Sequence, residues 1–306
     1  MLTLSIIIPT YNRGDLLMRG VKELAIQCSG VDAQIIVIDD GSVDDSPGLV
    51  ERWAAESRMP VHVIRQEHRG PATARNRGLD CAAGHLVLFM GDDIFPAPGL
   101  VHAHLAHHRR FPSPEVAVLG RVTWSPDLRI TPLMQWLEHG GPQFCYDRIA
   151  DPLAVPPTFF WTANVSAKTA FVRGAGGFSP RFPDAAFEDV ELGVRLARSG
   201  MALHYAPEAL GYHHHAVSLL RSLARMETLA QGALIANDTM PGLISLGHDT
   251  RWGRARRALA HDRRILALLR ALAPVCTAVP ACRATYFRLV HDLHYRAAIR
   301  RRVREV

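Results

Sequence analysis

The stretch LVLFMGDDIFP, residues 86–96, decides how this chain is read. Five apolar residues run into a glycine and two adjacent aspartates. A continuous apolar run of that length, closed by a turn signal, reads as a strand covered on both faces. The aspartates at its end repel each other, and each needs water or a cation. One of them could also cap a helix that follows.

Upstream the same rhythm repeats. Residues 4–9 (LSIIIP), 34–39 (QIIVID) and 61–65 read as strands, and residues 15–28, 46–57 and 71–83 as helices between them. A further helix is expected over residues 99–110. Apolar strands separated by helices predict a parallel sheet covered on both sides. Ligands of such sheets bind beyond the carboxyl ends of the strands. That rule singles out Pro9, Thr10, Tyr11 and Asn12, then Asp39, Asp40, Gly41 and Ser42, then Gly91, Asp92 and Asp93. Past residue 116 the order changes: residues 116–124, 159–167 and 201–205 read as strands, and residues 188–199 and 218–235 as helices. Pro241, Gly242 and Gly247 mark a boundary within residues 238–249.

The chain has 306 residues, 48% of them hydrophobic, enough for a large α/β domain with an appendage. Its five cysteines include no CxxC pair, which argues against a zinc ribbon or disulfide framework and fits a reducing compartment. The opening MLTLSIIIP carries no charged leader region, so no signal peptide is expected. Arg270 and Pro274 interrupt the apolar residues 265–279, so no membrane span is expected either. In residues 251–306, 14 arginines stand against Asp262, Asp292 and Glu305, a balance of +11 within a whole-chain +6 that leaves −5 elsewhere. The basic segment contains no known nucleic-acid-binding module, so nucleic acid is not an expected partner. Its arginines alternate with Ile265, Leu266, Leu268, Leu269 and Leu272, a pattern suited either to an anionic membrane surface or to packing on the catalytic domain.

Several clusters could carry chemistry. Asp92 and Asp93 suit a divalent cation, Mg2+ or Mn2+, completed by substrate phosphates. Asp39 and Asp40 precede a glycine, a turn signal that also offers acceptors to a base or ribose. Tyr11 presents a flat face for a base. Arg75 and Asn76 lie in GPATARNRG, where a guanidinium fork suits phosphate oxygens and an amide suits a sugar or base edge. Glu188 and Asp189 open a helix, where the dipole favours acids, and a carboxylate there could be a general base. In His213-His214-His215 the alternation of a strand points His213 and His215 the same way, so either could add a nitrogen ligand. His104 and His108, four apart on a helix, make a conceivable zinc pair without a third ligand.

Taken in order, IIIPTYNR (6–13), IDDGSVDDS (38–46), GPATARNRG (70–78), LFMGDD (88–93), GAGGFSPRF (174–182), FEDVELGVRL (187–196) and HHHAVSLL (213–220) resemble the nucleotide-sugar-dependent glycosyltransferases of family 2. The resemblance implies the GT-A fold: an α/β class with a nucleotide-binding, mostly parallel sheet flanked by helices, here with a helical C-terminal extension. It implies a catalytic domain over residues 1–238, with a nucleotide-binding half (1–115) and an acceptor-binding half (116–238), and leaves 239–306 as a basic helical extension. It also implies roles. Pro9, Tyr11 and Asp40 would hold the nucleoside, Arg75 would lie near the diphosphate or base, and Asp92 would sit near the ribose. Asp93 would ligate the cation with His213. Asp189 would be the general base, supported by Glu188. Relatives often carry a third aspartate where this chain has Gly91.

The implied reaction moves a sugar from a nucleoside-diphosphate sugar to a hydroxyl of a glycan or lipid-linked acceptor, with inversion, in the biosynthesis of surface polysaccharide or another glycan or glycolipid. The implied place is the cytoplasm, peripheral at the inner face of the membrane. Two other readings stay open. A nucleotidyltransferase would want a glycine- and arginine-rich loop after the first strand, of which PTYNRGD supplies a fragment. A non-catalytic nucleotide-sugar binder is compatible with Gly91. A dinucleotide dehydrogenase is disfavoured, since no GxGxxG follows the first strand.

Overall fold

The computed structural model describes residues 3–241 and 263–305. Its elements run β1 (Leu4–Thr10), α1 (Gly14–Gln27), β2 (Ala33–Asp39), α2 (Ser46–Glu56), β3 (Val61–Arg65), α3 (Pro71–Cys81), β4 (Leu86–Met90), β5 (Ile94–Pro96) and α4 (Leu100–Arg110). They continue with β6 (Val116–Trp124), α5 (Pro132–Glu138), β7 (Asn164–Lys168), α6 (Thr169–Gly174), α7 (Glu188–Arg198), β8 (Ala202–His213) and α8 (Leu219–Thr239). Three helices follow: α9 (Arg263–Ala271), α10 (Ala273–Ala278) and α11 (Pro280–Glu305). The class is α/β, as expected. Residues 242–249 of the expected boundary, with Arg256 and Arg257, lie outside the described residues.

Eight strands make one sheet in the order β3-β2-β1-β4-β7-β6-β8-β5. β3, β2, β1 and β4 are mutually parallel, so Thr10, Asp39 and Met90 all end at one edge of the sheet. β7 turns antiparallel to β4 and β6. β1, β2 and β4 are apolar and buried almost throughout, which is why their sequences do not alternate. Ile7, Ile36, Val87, Phe89, Val165 and Leu192 share one core cluster beneath the strand ends.

Three expectations differ in detail. The expected strand at 159–167 begins only at Asn164. Phe159 and Trp161 are aromatic because they pack on each other at 4.6 Å, not because they are pleated. Neither aspartate caps a helix: Ile94–Pro96 forms a short strand, and Gly99, left-handed at φ 90°, precedes α4. The short strand at 201–205 extends to His213 through Pro207. Gly120 faces Ala206 while Arg121 faces Leu210, so residues 207–209 bulge out and the proline sits where no ladder hydrogen bond is required.

A buried polar ladder fixes that bulge. Asn164 donates its amide to the carbonyls of Ala209 (2.8 Å) and Arg121 (3.2 Å), one on each strand. Its own oxygen therefore accepts from His104 Nε2 at 2.8 Å. The ladder continues from His104 Nδ1 to Ser166 Oγ (2.8 Å), His108 Nε2 (2.9 Å) and, from His108 Nδ1, Lys168 Nζ (3.0 Å). Lysine can only donate, so every bond runs from Lys168 towards Asn164. Burial lowers His104 to about 4, and burial with the Lys168 charge lowers His108 to about 2. The two histidines thus share a face, as the sequence suggests, but their nitrogens are spent on hydrogen bonds.

The chain divides into two compact units. One comprises Met1–Leu128 and Tyr146–His215 and holds the whole sheet. The other comprises Arg129–Cys145 and Ala216–Val306. Within this second unit α11 packs against α5 and α8: the Trp136 ring lies 4.9 Å from that of His291, and Ser222 Oγ is 2.6 Å from His291 Nε2. No described helix is long and apolar enough to cross a membrane.

Candidate active site

The parallel strands of the first unit deliver their polar ends to one side. Asp40, just past β2, is 4% exposed and fully engaged. Its Oδ1 accepts from Gln66 Nε2 (2.7 Å) and the Arg69 amide (2.9 Å), and its Oδ2 from the Gly70 amide (2.9 Å). His68 Nδ1 lies 2.9 Å from the same Oδ2, and its ring stacks on Tyr11 at 4.3 Å. Tyr11 is 43% exposed, so this stack presents an aromatic face to solvent. Pro9 is half-buried in β1 beside Ile38.

Asp92 and Asp93 follow β4 as predicted. Thr10 Oγ1 donates to Asp92 Oδ2 at 2.9 Å. Arg13 Nη1 bridges the pair, 2.9 Å from Asp92 Oδ1 and 2.5 Å from Asp93 Oδ2. His213, the last residue of β8, places Nε2 at 3.2 Å from Asp93 Oδ2, and His215 Nδ1 is 3.9 Å away. The two rings are parallel at 5.6 Å, while His214 turns to Ser125 Oγ at 3.1 Å. Trp124 backs His213 in a stack at 5.4 Å. Burial and the neighbouring Asp93 charge push Asp92 up to about 6. Burial also pushes Asp93 upward, but His213, Arg13 and His215 outweigh it and hold that carboxyl below the usual range. One donor atom each from Asp93, His213 and His215 lies within 4.8 Å of the others, a set that fits a divalent cation.

A second acid pair opens α7. Phe187 is left-handed at φ 68°, a strained conformation for a bulky residue, and it aims Glu188 and Asp189 inward. Glu188 Oε1 accepts from Arg75 Nη1 at 2.8 Å, both side chains being buried. Among the described residues, Arg75 Nε and Glu188 Oε2 have no partner, and buried polar atoms rarely lack one. Burial and the Asp189 charge push Glu188 up to about 7. Burial likewise raises Asp189, opposed by Arg75 and by the amides of Val190 and Thr162.

Main-chain bonds tie these groups together. The Thr162 amide donates to Asp189 Oδ2 at 3.3 Å, and the next carbonyl, of Ala163, accepts from Gly91 at 3.3 Å. Asp40 in turn fixes Gly70, where α3 begins, and Arg75 lies one turn later. Gly70 has φ 85°, and a Cβ there would lie 2.1 Å from the Pro183 carbonyl oxygen, so only glycine fits. Asn76 is not turned to a ligand: its amide clasps the backbone of Phe178 through two bonds of 2.8 Å.

Sequence reasoning missed Arg13, His68 and Thr162. Arg13 could have been found as the first cation beyond the end of β1. His68 and Thr162 lie in loops whose approach no local pattern announces.

The sequence profile of Glycosyl transferase family 2 matches residues 5–167, and that of Glycosyl transferase family group 2 matches residues 146–299. Validoxylamine A glucosyltransferase of Streptomyces hygroscopicus subsp. jinggangensis (strain 5008) is 32% identical over 232 residues, 68% of this chain and 54% of that protein. Pre-mycofactocin glycosyltransferase of Mycobacterium tuberculosis is 28% identical over 238 residues, 72% of this chain and 44% of that protein. The chain thus spans about half the length of the curated relatives it matches. Among solved structures, the mannosyltransferase PcManGT from Pyrobaculum calidifontis, in complex with GDP-Man and Mn2+, aligns with TM-score 0.60 at 19% identity, over 96% of this chain and 86% of that one. Staphylococcus aureus TarS 1-349 in complex with UDP-GlcNAc aligns with TM-score 0.56 at 16% identity, over 99% and 92%. These likenesses show the shared fold, the GT-A arrangement.

Proposed function

We propose that this chain, which belongs to glycosyl transferase family 2, moves a sugar from a nucleoside-diphosphate sugar to an acceptor hydroxyl with inversion at the anomeric carbon. One observation carries the reading. The dipeptide Thr162-Ala163 hydrogen-bonds Asp189 on one side and Gly91, beside Asp92 and Asp93, on the other. A charge-stabilising cluster and a half-buried carboxylate of raised proton affinity therefore share one support. That is what a displacement needs, with a leaving group on one face and a nucleophile on the other.

In this reading Pro9, Asp40 and the exposed Tyr11 hold the nucleoside, and Asp92 meets the ribose. Arg75, anchored on Glu188, extends the rest of its guanidinium towards the diphosphate or base. Asp189 takes the proton from the acceptor hydroxyl as it attacks, and Glu188 with Arg75 sets the charge of that base. Asp93, His213 and His215 would hold a divalent cation, which offsets the negative charge on the departing diphosphate. Their mixed oxygen and nitrogen donors suit Mn2+ better than Mg2+. PcManGT was solved with GDP-Man and Mn2+, which supports a donor and ion of this kind.

Residues 1–115 would form the donor half, 116–238 the acceptor half and 239–306 a basic extension. The acceptor is a glycan or a lipid-linked one, in the biosynthesis of a surface polysaccharide or other glycoconjugate. The enzyme would work in the cytoplasm, held at the inner membrane face by its C-terminal helices. The test is a panel of UDP-, GDP- and dTDP-sugars with Mn2+, read by donor turnover and product stereochemistry. Asp189→Asn should lose turnover at least a hundredfold while binding nucleoside diphosphate as tightly as the parent. Equal loss of binding would make Asp189 structural, and a retained anomeric configuration would exclude the single displacement.

A further inference from the structure

We propose that Arg13 is an internal counter-ion that competes with the cation for Asp93 and yields only when a nucleoside diphosphate arrives to receive its guanidinium. The inference rests on the cation and donor reading above. Its basis is a single shared oxygen. Asp93 Oδ2 faces Arg13 Nη1 at 2.5 Å, His213 Nε2 at 3.2 Å and His215 Nδ1 at 3.9 Å. A divalent ion held by that oxygen and the two imidazoles would stand beside a guanidinium on the same atom. Like charges at such a distance exclude each other in a poorly solvated site.

The surroundings make Arg13 the group that gives way. Thr10 holds Asp92 Oδ2, β8 ends on His213, and the His214 amide between the two imidazoles donates to the Asp93 carbonyl at 2.8 Å. The Arg13 backbone is also fixed: its amide bonds Ser46 Oγ at 3.1 Å, and the left-handed Asn12 beside it clasps the Val43 amide at 2.8 Å. The Arg13 side chain, 36% exposed, has a path outward. A guanidinium released there matches phosphate oxygens in a two-pronged fashion. Cation affinity is then scaled by the fraction of molecules in which the pair is open. A pair closed in about nine-tenths of them weakens it about tenfold. Cation and diphosphate become linked, each raising the affinity of the other by the same factor.

The experiment is Mn2+ binding to the full chain by electron paramagnetic resonance, without and with saturating UDP, GDP or dTDP. Arg13→Gln should bind Mn2+ alone at least tenfold more tightly than the parent, and should show a smaller gain on adding the diphosphate. Arg13→Lys, which keeps the charge, should resemble the parent towards Mn2+ alone. Unchanged or weaker Mn2+ binding by Arg13→Gln overturns the proposal, as does an Arg13→Lys as tight as the glutamine variant. If Arg13→Gln does not fold, the lysine variant and the parent's response decide: a parent whose Mn2+ affinity ignores the diphosphate sinks the idea. A parent that binds no Mn2+ under either condition, or an Asp93→Asn variant that binds as well as the parent, faults the cation site itself instead.

Discussion

Arg75 and Glu188, 113 residues apart in sequence, meet at 2.8 Å with neither side chain more than 9% exposed. Breaking such a pair leaves one charge buried without its partner, a loss of about 3–5 kcal/mol. Arg75→Met should therefore lower unfolding stability by that order in urea denaturation. Arg75→Met with Glu188→Gln should recover most of it. A double variant as unstable as the single one would mean that the ion pair is not the cause.

Glu188 also sets a pH dependence. Its proton is held up to about 7, against an ordinary 4.5, chiefly by burial and then by Asp189. The folded state thus binds this proton more tightly than the unfolded chain. Its contribution is complete below the ordinary value and is lost as pH rises towards 7, up to roughly 3 kcal/mol. Asp92 acts in the same direction and Asp93 in the opposite one. Stability of Glu188→Gln measured from about pH 5 to pH 8 should fall less steeply than that of the parent. Parallel curves would remove Glu188 as the source.

At Gly70 the left-handed backbone and the Pro183 carbonyl leave no room for a side chain. Gly70→Ala should destabilise by more than about 1 kcal/mol from the conformation alone. It should also raise the rate of proteolysis within residues 174–186. A stable, protease-resistant variant would show that this contact is dispensable.

Asn164 answers for the register of β8. Asn164→Leu removes two donors and leaves His104 without its acceptor, a loss of at least about 2 kcal/mol. Because the bulge precedes His213, Mn2+ affinity should fall along with stability. Unaltered Mn2+ binding would separate the ladder from the site.

In the second unit Leu268, Leu272, Val275 and Val279 are exposed at 59, 39, 65 and 46%. Their spacing of four, three and four residues lays them on one side of the α9–α10 stretch. With the arginines around them they suit an anionic lipid surface. Replacing all four with serine should reduce binding to anionic vesicles in a flotation assay by at least tenfold. A parent that never floats would dismiss the membrane contact.

The parallel half of the sheet was legible because Ile6–Ile8, Ile35–Ile38 and Val87–Phe89 are buried on both faces and leave no ambiguity of period. The ends of those strands named Tyr11, Asp40, Asp92 and Asp93, and alternation alone paired His213 with His215. What stayed hidden depends on distant approach. Nothing around Arg75 tells that its partner is Glu188 rather than solvent. Asn76 looks like a ligand group and serves as a clasp for Phe178. Trp161 has strand propensity but stands in a turn, because aromatic packing satisfies it there. Pro207 argues for a break that a bulge absorbs.

Thr162 and Ala163 carry one further consequence. They reach Asp189 and Gly91 through an amide and a carbonyl, not through side chains. Neighbouring α-carbons are about 3.8 Å apart whatever the residues. In the proposed reaction the polypeptide itself would then be the ruler between Asp189 and the aspartate pair, and substitutions at these two positions would leave its length unaltered. On that reading the surrounding side chains could be exchanged to suit another sugar or another alcohol while the spacing between Asp189 and Gly91 is kept.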